Sequence, residues 1–258
     1  ANSSEPLGEQ PPSEMSPTNG SSSPRKVDSL KLTLAGGSAG GFWSLIGEGA
    51  STILRNSIPN SQVSYETGNG VKNVIDVTAG QIPLGIAHNF EVKAGLEGLE
   101  PFKEKVAGVT ALATLYDNSP LQIVITKDFA DKYGITSLED IAEKKPPVRF
   151  AVNQRGNLNE LANRLVLEAY GITYEDIQSW GGEIFYEPYK TGADMMQAGK
   201  ADMDSVFAFP PDAKFLELAA STELVLLPLN DDAQQLLKEK LGIPEGVIPA
   251  GSYDWLQQ

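Results

Sequence analysis

Leu30-Lys-Leu-Thr-Leu-Ala-Gly-Gly-Ser-Ala-Gly-Gly-Phe42 is the stretch that decides the fold of this chain. Its first six residues alternate apolar and polar side chains, which is typical of a β-strand. The Gly-rich run Gly36–Gly41, called the first turn below, predicts a tight connection into a helix over Phe42–Leu54. The apolar face expected for this helix consists of Phe42, Leu45, Ile46, Ile53 and Leu54.

The same succession of strand, turn and helix follows at once. Gln62–Glu66 predicts a strand, Thr67–Asn73 a second turn, Val71–Ala79 a helix and Ile82–Ala87 a third strand. Short strands that alternate with helices indicate βαβ units and a parallel sheet.

A second set of elements repeats this order later in the chain. Its strands and helices, with a third turn at Asn153–Asn157, are expected at Val148–Val152, Leu158–Tyr170, Ile184–Glu187, Thr191–Ala198 and Met203–Phe209. Tyr65-Glu66 ends the second strand of the first half, and Tyr186-Glu187 ends its counterpart in the second half. These correspondences indicate two lobes of like architecture.

The predicted fold class is therefore α/β, with two lobes that each hold a mostly parallel sheet flanked by helices. We place lobe one at residues 28–117, lobe two at residues 118–228, and a return segment at residues 229–258 that is expected to pack on lobe one. The chain would cross between the lobes near Leu112–Thr126 and again near residues 227–230, and two crossings make a hinge. Ligands of open parallel sheets bind at the carboxyl ends of the strands, so the cleft between the lobes is the expected site.

Residues 1–27 are interpreted as a linker. Ser, Pro, Asn, Gly and Glu dominate this segment, which has too few large apolar residues to offset its ordering entropy. Two readings stay open: a disordered terminus, or a tether that holds the folded part at a membrane through a lipidated residue upstream of Ala1.

Composition excludes several classes of function. The net charge is −14, from 34 acidic and 20 basic residues, so nucleic acids and anionic membrane surfaces are poor partners. The chain has no cysteine and one histidine, which argues against disulfides, thiolate catalysis and a transition-metal site. No cofactor is expected.

The first turn is the strongest candidate for ligand binding. Gly37, Ser38, Ala39 and Gly40 lead from a strand into a helix, where free backbone N–H groups and the positive end of the helix attract an anion. Ser38 either donates a hydrogen bond to the ligand or only caps the helix.

The same turn also fits the G-x-S-x-G pattern of a hydrolase nucleophile elbow, over Gly36–Gly40. Against that reading, His88 is the one candidate base, and the elbow would follow the first strand, so no upstream loop could complete an oxyanion hole. A serine hydrolase that uses Ser38 is therefore a minor alternative.

Other candidate ligand residues end neighbouring strands. Thr67, Gly68 and Asn69 form the second turn, and His88-Asn89 ends the third strand, although a lone histidine is more often structural. In the third turn, Arg155 either holds a carboxylate bidentately, a contact worth roughly 1.5–3 kcal/mol, or is a solvated loop arginine. Phe207 could cover an apolar part of the ligand.

Several ordered motifs resemble the TAXI family, the extracytoplasmic solute receptors of TRAP transporters. They are Leu32–Gly49, Thr67–Asn73, Gly80–Asn89, Ser137–Asp140, Tyr170-Gly171, Gly199–Asp202 and Ile248–Tyr253. The resemblance covers residues 30–253 and implies a type II periplasmic-binding-protein-like fold without catalysis. It implies a monomer that passes glutamate, glutamine or another small carboxylate to membrane permease subunits, in the periplasm or another extracytoplasmic space.

Residue patterns and resemblance together give one candidate site. Its members are Gly37, Ser38, Ala39, Gly40, Phe42, Trp43, Thr67, Gly68, Asn69, Asn73, His88, Asn89, Tyr116, Asn153, Arg155, Asn157 and Phe207. Two departures from the family pattern stand out. The third turn is not the usual Gly-Ser-Gly-like sequence, which puts the ligand in doubt. The chain also stops soon after Tyr253, where members of the family continue, so lobe one is expected to lack part of its sheet or flank and to show lower stability or an exposed apolar patch.

Three alternatives to a TRAP receptor stay open: the receptor of an ATP-driven importer, the serine hydrolase, and a ligand-sensing or scaffold domain that serves no permease. The sequence does not separate the two kinds of transport receptor.

Overall fold

The computed structural model describes residues 27–256, so all but the last residue of the predicted linker lies outside the described residues. The strands are β1 Lys31–Ala35, β2 Gln62–Glu66, β3 Leu84–Gly85, β4 Leu121–Thr126, β5 Arg149–Ala151, β6 Glu183–Phe185, β7 Met203–Phe207 and β8 Leu224–Leu226. The helices are α1 Phe42–Ser57, α2 Gly70–Thr78, α3 Asn89–Glu97, α4 Lys127–Tyr133, α5 Leu138–Lys144, α6 Leu158–Ala169, α7 Tyr174–Ser179, α8 Tyr189–Gln197, α9 Ala213–Ala219 and α10 Asp231–Leu241.

Lobe one contains a three-stranded parallel sheet in the order β2-β1-β3. Lys31 pairs with Gln62 and the register runs to Ala35 opposite Glu66. The third strand, predicted over six residues, shrinks to Leu84–Gly85. Because β1 is the central strand, the first turn that follows it lies between the ends of β2 and β3.

Lobe two contains a five-stranded sheet in the order β6-β5-β7-β4-β8. β5 is parallel to β6 and β7, whereas β4 is antiparallel to both β7 and β8. The sheet is thus mixed, because β4 enters from the interlobe crossing rather than through a βαβ connection. Within the predicted crossing Leu112–Thr126, the strand β4 occupies the last six residues.

The main hydrophobic core lies in lobe two, on both faces of this sheet. One face packs Ile123, Phe150 and Leu167, and the other packs Val124 and Phe215. Lobe one has a smaller core around Val71, Val74, Ala94 and Phe102.

The sequence had suggested that the return segment packs on lobe one, but the structure places most of its contacts in lobe two. Helix α10 lies chiefly against α6 and makes a smaller contact with α3. Its apolar residues Ala233, Leu237 and Leu241 join the core of lobe two, and Tyr253 is buried on the opposite face of the same sheet. Helix α6 supplies the partner surface, since its residues Leu161, Ala162 and Val166 belong to the same buried cluster.

The face predicted for α1 is also wrong. Ser44, Gly47 and Ser51 face the protein, while Leu45 and Ile53 are 72% and 65% exposed. A Cβ on Gly47 would lie 2.3 Å from a ring carbon of Tyr65, so this helix approaches β2 on its small residues. Further along lobe one, Leu112 and Leu115 are exposed as well.

Among the helices of the described residues, none combines the length and the hydropathy needed to cross a bilayer.

Candidate ligand-binding site

One cavity collects the turns that follow the strands of both lobes. It occupies about 700 Å³, counting the part open to solvent. Its wall includes eight predicted residues of lobe one, which are Gly37, Ser38, Phe42, Trp43, Gly68, Asn69, His88 and Tyr116. Three predicted residues line it from lobe two, namely Asn153, Asn157 and Phe207.

The first turn presents unpaired donors to this cavity. Gly41, not Ser38, is the N-cap of α1, and it makes no side-chain capping bond. The Ser38 hydroxyl and the backbone N–H groups of Ser38, Phe42 and Trp43 have no acceptor among the described residues. The capping reading of Ser38 is therefore not supported, and these groups are available to an anion.

Tyr65 fixes the first turn from behind. Its hydroxyl accepts from the Gly37 N–H at 3.0 Å and lies 3.1 Å from the Gly37 carbonyl oxygen, to which it can donate. The Gly68 N–H donates to the same carbonyl at 3.3 Å, which ties the second turn to the first. Burial raises the pKa of Tyr65, so the hydroxyl stays protonated.

Asn73 supports the site without lining the cavity. Its buried amide donates to the carbonyl oxygens of Gly36 at 2.9 Å, Ile86 at 2.8 Å and Ala35 at 3.3 Å. These bonds join the ends of β1 and β3. Asn73 thus positions the turns, whereas the sequence had suggested a direct contact with ligand.

Helix α2 points a second N-terminus at the cavity. Asn69 is its N-cap and accepts from the Lys72 N–H at 2.9 Å. Thr67 and Asn89, in contrast, are exposed and do not line the cavity; Ala39 is likewise outside it, and Gly40 faces a smaller neighbouring pocket.

Aromatic residues form the floor of the cleft around His88. The imidazole stacks on Phe90 at a centroid distance of 4.7 Å and lies 4.7 Å from Trp43 and 6.3 Å from Phe207. Trp43 Nε1 donates to the Tyr116 hydroxyl at 2.5 Å, and burial raises the pKa of Tyr116. The apolar part of a ligand would contact aromatic rings that belong to both lobes.

His88 is not a catalytic base for Ser38. Its Nδ1 lies 3.2 Å from Glu91 Oε2, and its Nε2 lies 3.4 Å from the Ser119 hydroxyl. Both ring nitrogens thus have partners other than Ser38, so the nucleophile–base contact that the hydrolase reading needs is missing among the described residues.

The third turn contributes the N-terminus of α6. Asn157 caps this helix by accepting from the Asn159 N–H at 2.8 Å, and Asn153 adopts a left-handed φ of 75°. Asn159, which the sequence did not single out, lines the cavity and accepts from the Phe207 N–H at 3.0 Å.

Arg155 lies outside the cavity wall. Its guanidinium carbon sits 3.8 Å from the ring centroid of Tyr186. Tyr186 directly follows β6, and Tyr65 lies near the end of β2 in the sheet of lobe one. Each tyrosine contacts the turn after the neighbouring strand. The predicted carboxylate clamp is therefore replaced by a cation–π contact that stabilises the third turn.

Three further polar side chains in the wall were not predicted from the sequence: Glu91, Tyr189 and Asp212. The Tyr189 hydroxyl donates to Asp212 Oδ2 at 2.7 Å, and Asp212 caps α9. The pKa values of Tyr189 and Asp212 are both raised, in each case mainly by burial. A signal existed, because His88-Asn-Phe-Glu91 has capping-box spacing and Pro211-Asp212 marks a helix start.

A buried ion pair lies directly behind this wall. Lys214 Nζ is 2.7 Å from Asp204 Oδ2 and 4.6 Å from the ring centroid of Tyr189. Burial raises the pKa of Asp204, against the opposing effect of Lys214. Nowhere in residues 27–256 do three or more His, Asp or Glu side chains cluster as a metal site would require.

Solved structures share this architecture. PhnD1 from Prochlorococcus marinus (MIT 9301), in complex with methylphosphonate, is 11% identical with a TM-score of 0.52, over 83% of this chain and 79% of that one. HinK from Pseudomonas aeruginosa, a LysR family transcriptional regulator, is 10% identical with a TM-score of 0.50, over 80% of this chain and 61% of that one. The alkanesulfonate-binding protein SsuA from Xanthomonas axonopodis pv. citri, bound to MOPS, is 16% identical with a TM-score of 0.47, over 80% of this chain and 62% of that one.

The likenesses to PhnD1 and HinK establish the fold, and the predicted α/β periplasmic-binding-protein-like architecture is confirmed. The chain spans less than two thirds of the length of SsuA and of HinK. A family model, described as the NMT1-like family, matches residues 34–258. This match extends over most of the sequence, and the chain therefore belongs to the NMT1-like family.

Proposed function

We propose that this protein is an extracytoplasmic solute-binding receptor. It captures a small molecule with a carboxylate group in the cleft between its lobes, catalyses no reaction, and passes the molecule to a membrane transporter. The ligand acid group lies at the helix N-termini, and its apolar part lies against the aromatic floor.

One observation carries this proposal: three helix N-termini, those of α1, α2 and α6, meet at one cavity lined by both lobes. Each N-terminus bears about half a positive charge and leaves backbone N–H groups free. Such a site attracts an anion without any lysine or arginine, which suits a chain with a net charge of −14.

The transporter proposed is a TRAP-type permease, because the ordered motifs from Leu32–Gly49 to Ile248–Tyr253 resemble TAXI receptors. An ATP-driven importer is the alternative, and its receptor would bind the ligand in the same cleft. Uptake of radiolabelled ligand by vesicles separates the two, since a TRAP permease requires an ion gradient and an importer requires ATP.

A thermal-shift screen tests ligand capture. Amino acids, mono- and dicarboxylates, alkanesulfonates and methylphosphonate are each added to the purified protein. A ligand at 100 times its Kd adds about 2.7 kcal/mol to the free energy of unfolding. The midpoint should then rise by roughly 5–10 °C.

Two serine variants on α1 and its preceding turn serve as a matched pair for this screen. Ser38→Asp puts a negative charge where the ligand carboxylate binds, so the shift should disappear. Ser57→Asp adds the same charge at the exposed far end of α1 and should retain it. A protein that responds to no organic acid, or only to sulfonates and phosphonates, would refute the carboxylate assignment.

Trp43 should report binding directly. It lines the cavity and donates to Tyr116, whereas Trp180 and Trp255 pack against the cores of lobe two. Saturating ligand is expected to change the tryptophan emission of the wild type. Trp43→Phe should abolish most of this change and Trp180→Phe should preserve it; the opposite pattern would move the site away from the cleft.

A further inference from the structure

We propose that Glu91 determines ligand specificity by binding a cationic nitrogen, so that the ligand is a zwitterion rather than a simple organic acid. This inference rests on the function proposed above.

Glu91 is a buried carboxylate in the cavity wall. It is 4% exposed and lines the cavity from the first turn of α3. Its Oε2 accepts from the His88 N–H at 2.8 Å and lies 3.2 Å from His88 Nδ1. Its Oε1 has no hydrogen-bond partner among the described residues, which leaves one carboxylate oxygen for a donor from the ligand.

The cavity wall contains no side chain that neutralises this carboxylate permanently. Among the described residues that line it, the ionisable ones are His88, Glu91 and Asp212 together with two tyrosines, and neither lysine nor arginine is present. Lys214 is engaged by Asp204 behind the wall. A buried carboxylate is costly without a partner, and a ligand ammonium group would provide one.

Asp212 is less suited to this role. Its Oδ1 accepts from the N–H groups of Lys214 at 3.1 Å and Phe215 at 3.3 Å, and its Oδ2 accepts from the Tyr189 hydroxyl. Both of its oxygens are therefore occupied, whereas Glu91 retains a free one.

Glu91 also lies next to an acid-binding helix end. A Cβ on Gly70 would come within 1.7 Å of Glu91 Oε2, so this glycine lets the carboxylate pack against the start of α2. Donors for a ligand carboxylate and an acceptor for a ligand ammonium are thus neighbours. Among small metabolites, α-amino acids carry these two groups on the same carbon atom.

The same wall disfavours a second ligand carboxylate. With no lysine or arginine among its described lining residues, nothing would neutralise an acidic side chain, and Glu91 and Asp212 would repel it. The inference therefore favours amino acids with uncharged side chains over glutamate and aspartate.

Calorimetric titration with matched ligand pairs tests the inference. Each pair is an amino acid and the carboxylate that lacks only its amino group: leucine with 4-methylpentanoate, alanine with propionate, glutamine with glutaramate, and glutamate with glutarate. The wild type should bind the amino member of its preferred pair about 10- to 100-fold more tightly, the range expected of a charge-assisted hydrogen bond. The glutamate pair should bind more weakly than the glutamine pair.

Glu91→Gln should remove most of this preference and leave binding of the deaminated carboxylate nearly unchanged. Glutamine at the third helix position keeps the capping box, so the fold is retained. Glu97→Gln is the matched control on the same helix, because Glu97 is exposed and pairs with Lys93 at the surface.

The outcomes separate the two proposals. If the wild type binds carboxylates and their amino counterparts equally, or Glu91→Gln keeps the full preference, the role of Glu91 is refuted while the receptor stands. If no member of any pair binds, the proposed function fails and this inference fails with it. The comparison of ligand pairs on the wild type decides the matter even if the variant does not fold.

Discussion

Replacement of Lys214 by methionine is expected to lower the free energy of unfolding by about 3–5 kcal/mol at neutral pH. Lys214 and Asp204 have side chains only 2% and 4% exposed, and Nζ also lies 3.3 Å from the Ser205 carbonyl oxygen. Methionine fills a similar volume but leaves the Asp204 carboxylate buried without a cation. Asp212 and the ring of Tyr189 lose the same positive charge.

The loss should depend on pH in a defined direction. Burial raises the pKa of Asp204 above its ordinary value of 3.8, and Lys214 opposes that rise. A carboxyl group with a raised folded pKa binds more protons in the native state, so stability falls as the pH increases from about 4 through the folded pKa. Without Lys214 this pKa rises further, and the deficit of the variant should be smaller at pH 4.5 than at pH 7.5.

Urea denaturation at these two pH values measures the effect. Lys190→Met is the matched control, because Lys190 is exposed on α8 and pairs with Asp194 and Glu217 at the surface. It should lower the free energy of unfolding far less than Lys214→Met, because exposed ion pairs contribute little. The double variant Asp204→Asn with Lys214→Met should recover part of the loss. An equal deficit at both pH values would contradict the assigned role of this ion pair.

Local sequence patterns predicted the strands and helices well where the interactions that define them join residues close in sequence. β1 and β2 match their expected ranges within a residue, and α2 and α6 begin and end within one residue of expectation. Strand alternation and caps such as Asn69 and Asn157 act over a few residues, so they are visible without tertiary information.

The sequence did not show which of two possible surfaces a helix packs on. The apolar stripe of α1 suggested a buried face, yet Gly47 allows the opposite face to approach Tyr65 closely. Likewise the apolar stripe of α10 does not show which lobe it packs on, and in the fold it lies chiefly against α6. Hydrophobic periodicity indicates that a helix has a buried face, but it does not identify the surface on which that face packs.

The candidate site was predictable where turns follow strands, and it was missed where side chains reach in from helices. The first and second turns and Asn157 were found because the topology places strand ends together. Glu91 lies on the first turn of a helix, and only the fold brings it opposite lobe two. Arg155 lies in a turn that was correctly predicted, but its guanidinium contacts the ring of Tyr186 and does not line the cavity.

The second large effect is expected for Asn73→Ala. Three carbonyl oxygens, of Ala35, Gly36 and Ile86, lose a donor in a site where Asn73 is 1% exposed. Unpaired buried polar groups cost about 1–3 kcal/mol each, although the Ala35 carbonyl keeps the Ile86 N–H. The free energy of unfolding should fall by about 2–4 kcal/mol. Ligand affinity should fall too, because β1 and β3 no longer hold the first turn in place.

Denaturation and calorimetry, both well below the unfolding temperature, separate the two effects. Asn56→Ala on the exposed side of α1 is the control and should change stability by less than about 0.5 kcal/mol.

Asn73→Asp adds a sharper test, because an ionised carboxylate cannot donate to any of the three carbonyls. This variant should be at least as unstable as Asn73→Ala at pH 7.5. It should regain stability as the pH falls, because the buried carboxyl group has a raised folded pKa and its protonated form donates one hydrogen bond. If Asn73→Asp instead matches the wild type at pH 7.5, the amide donors of Asn73 do not hold the two strand ends together.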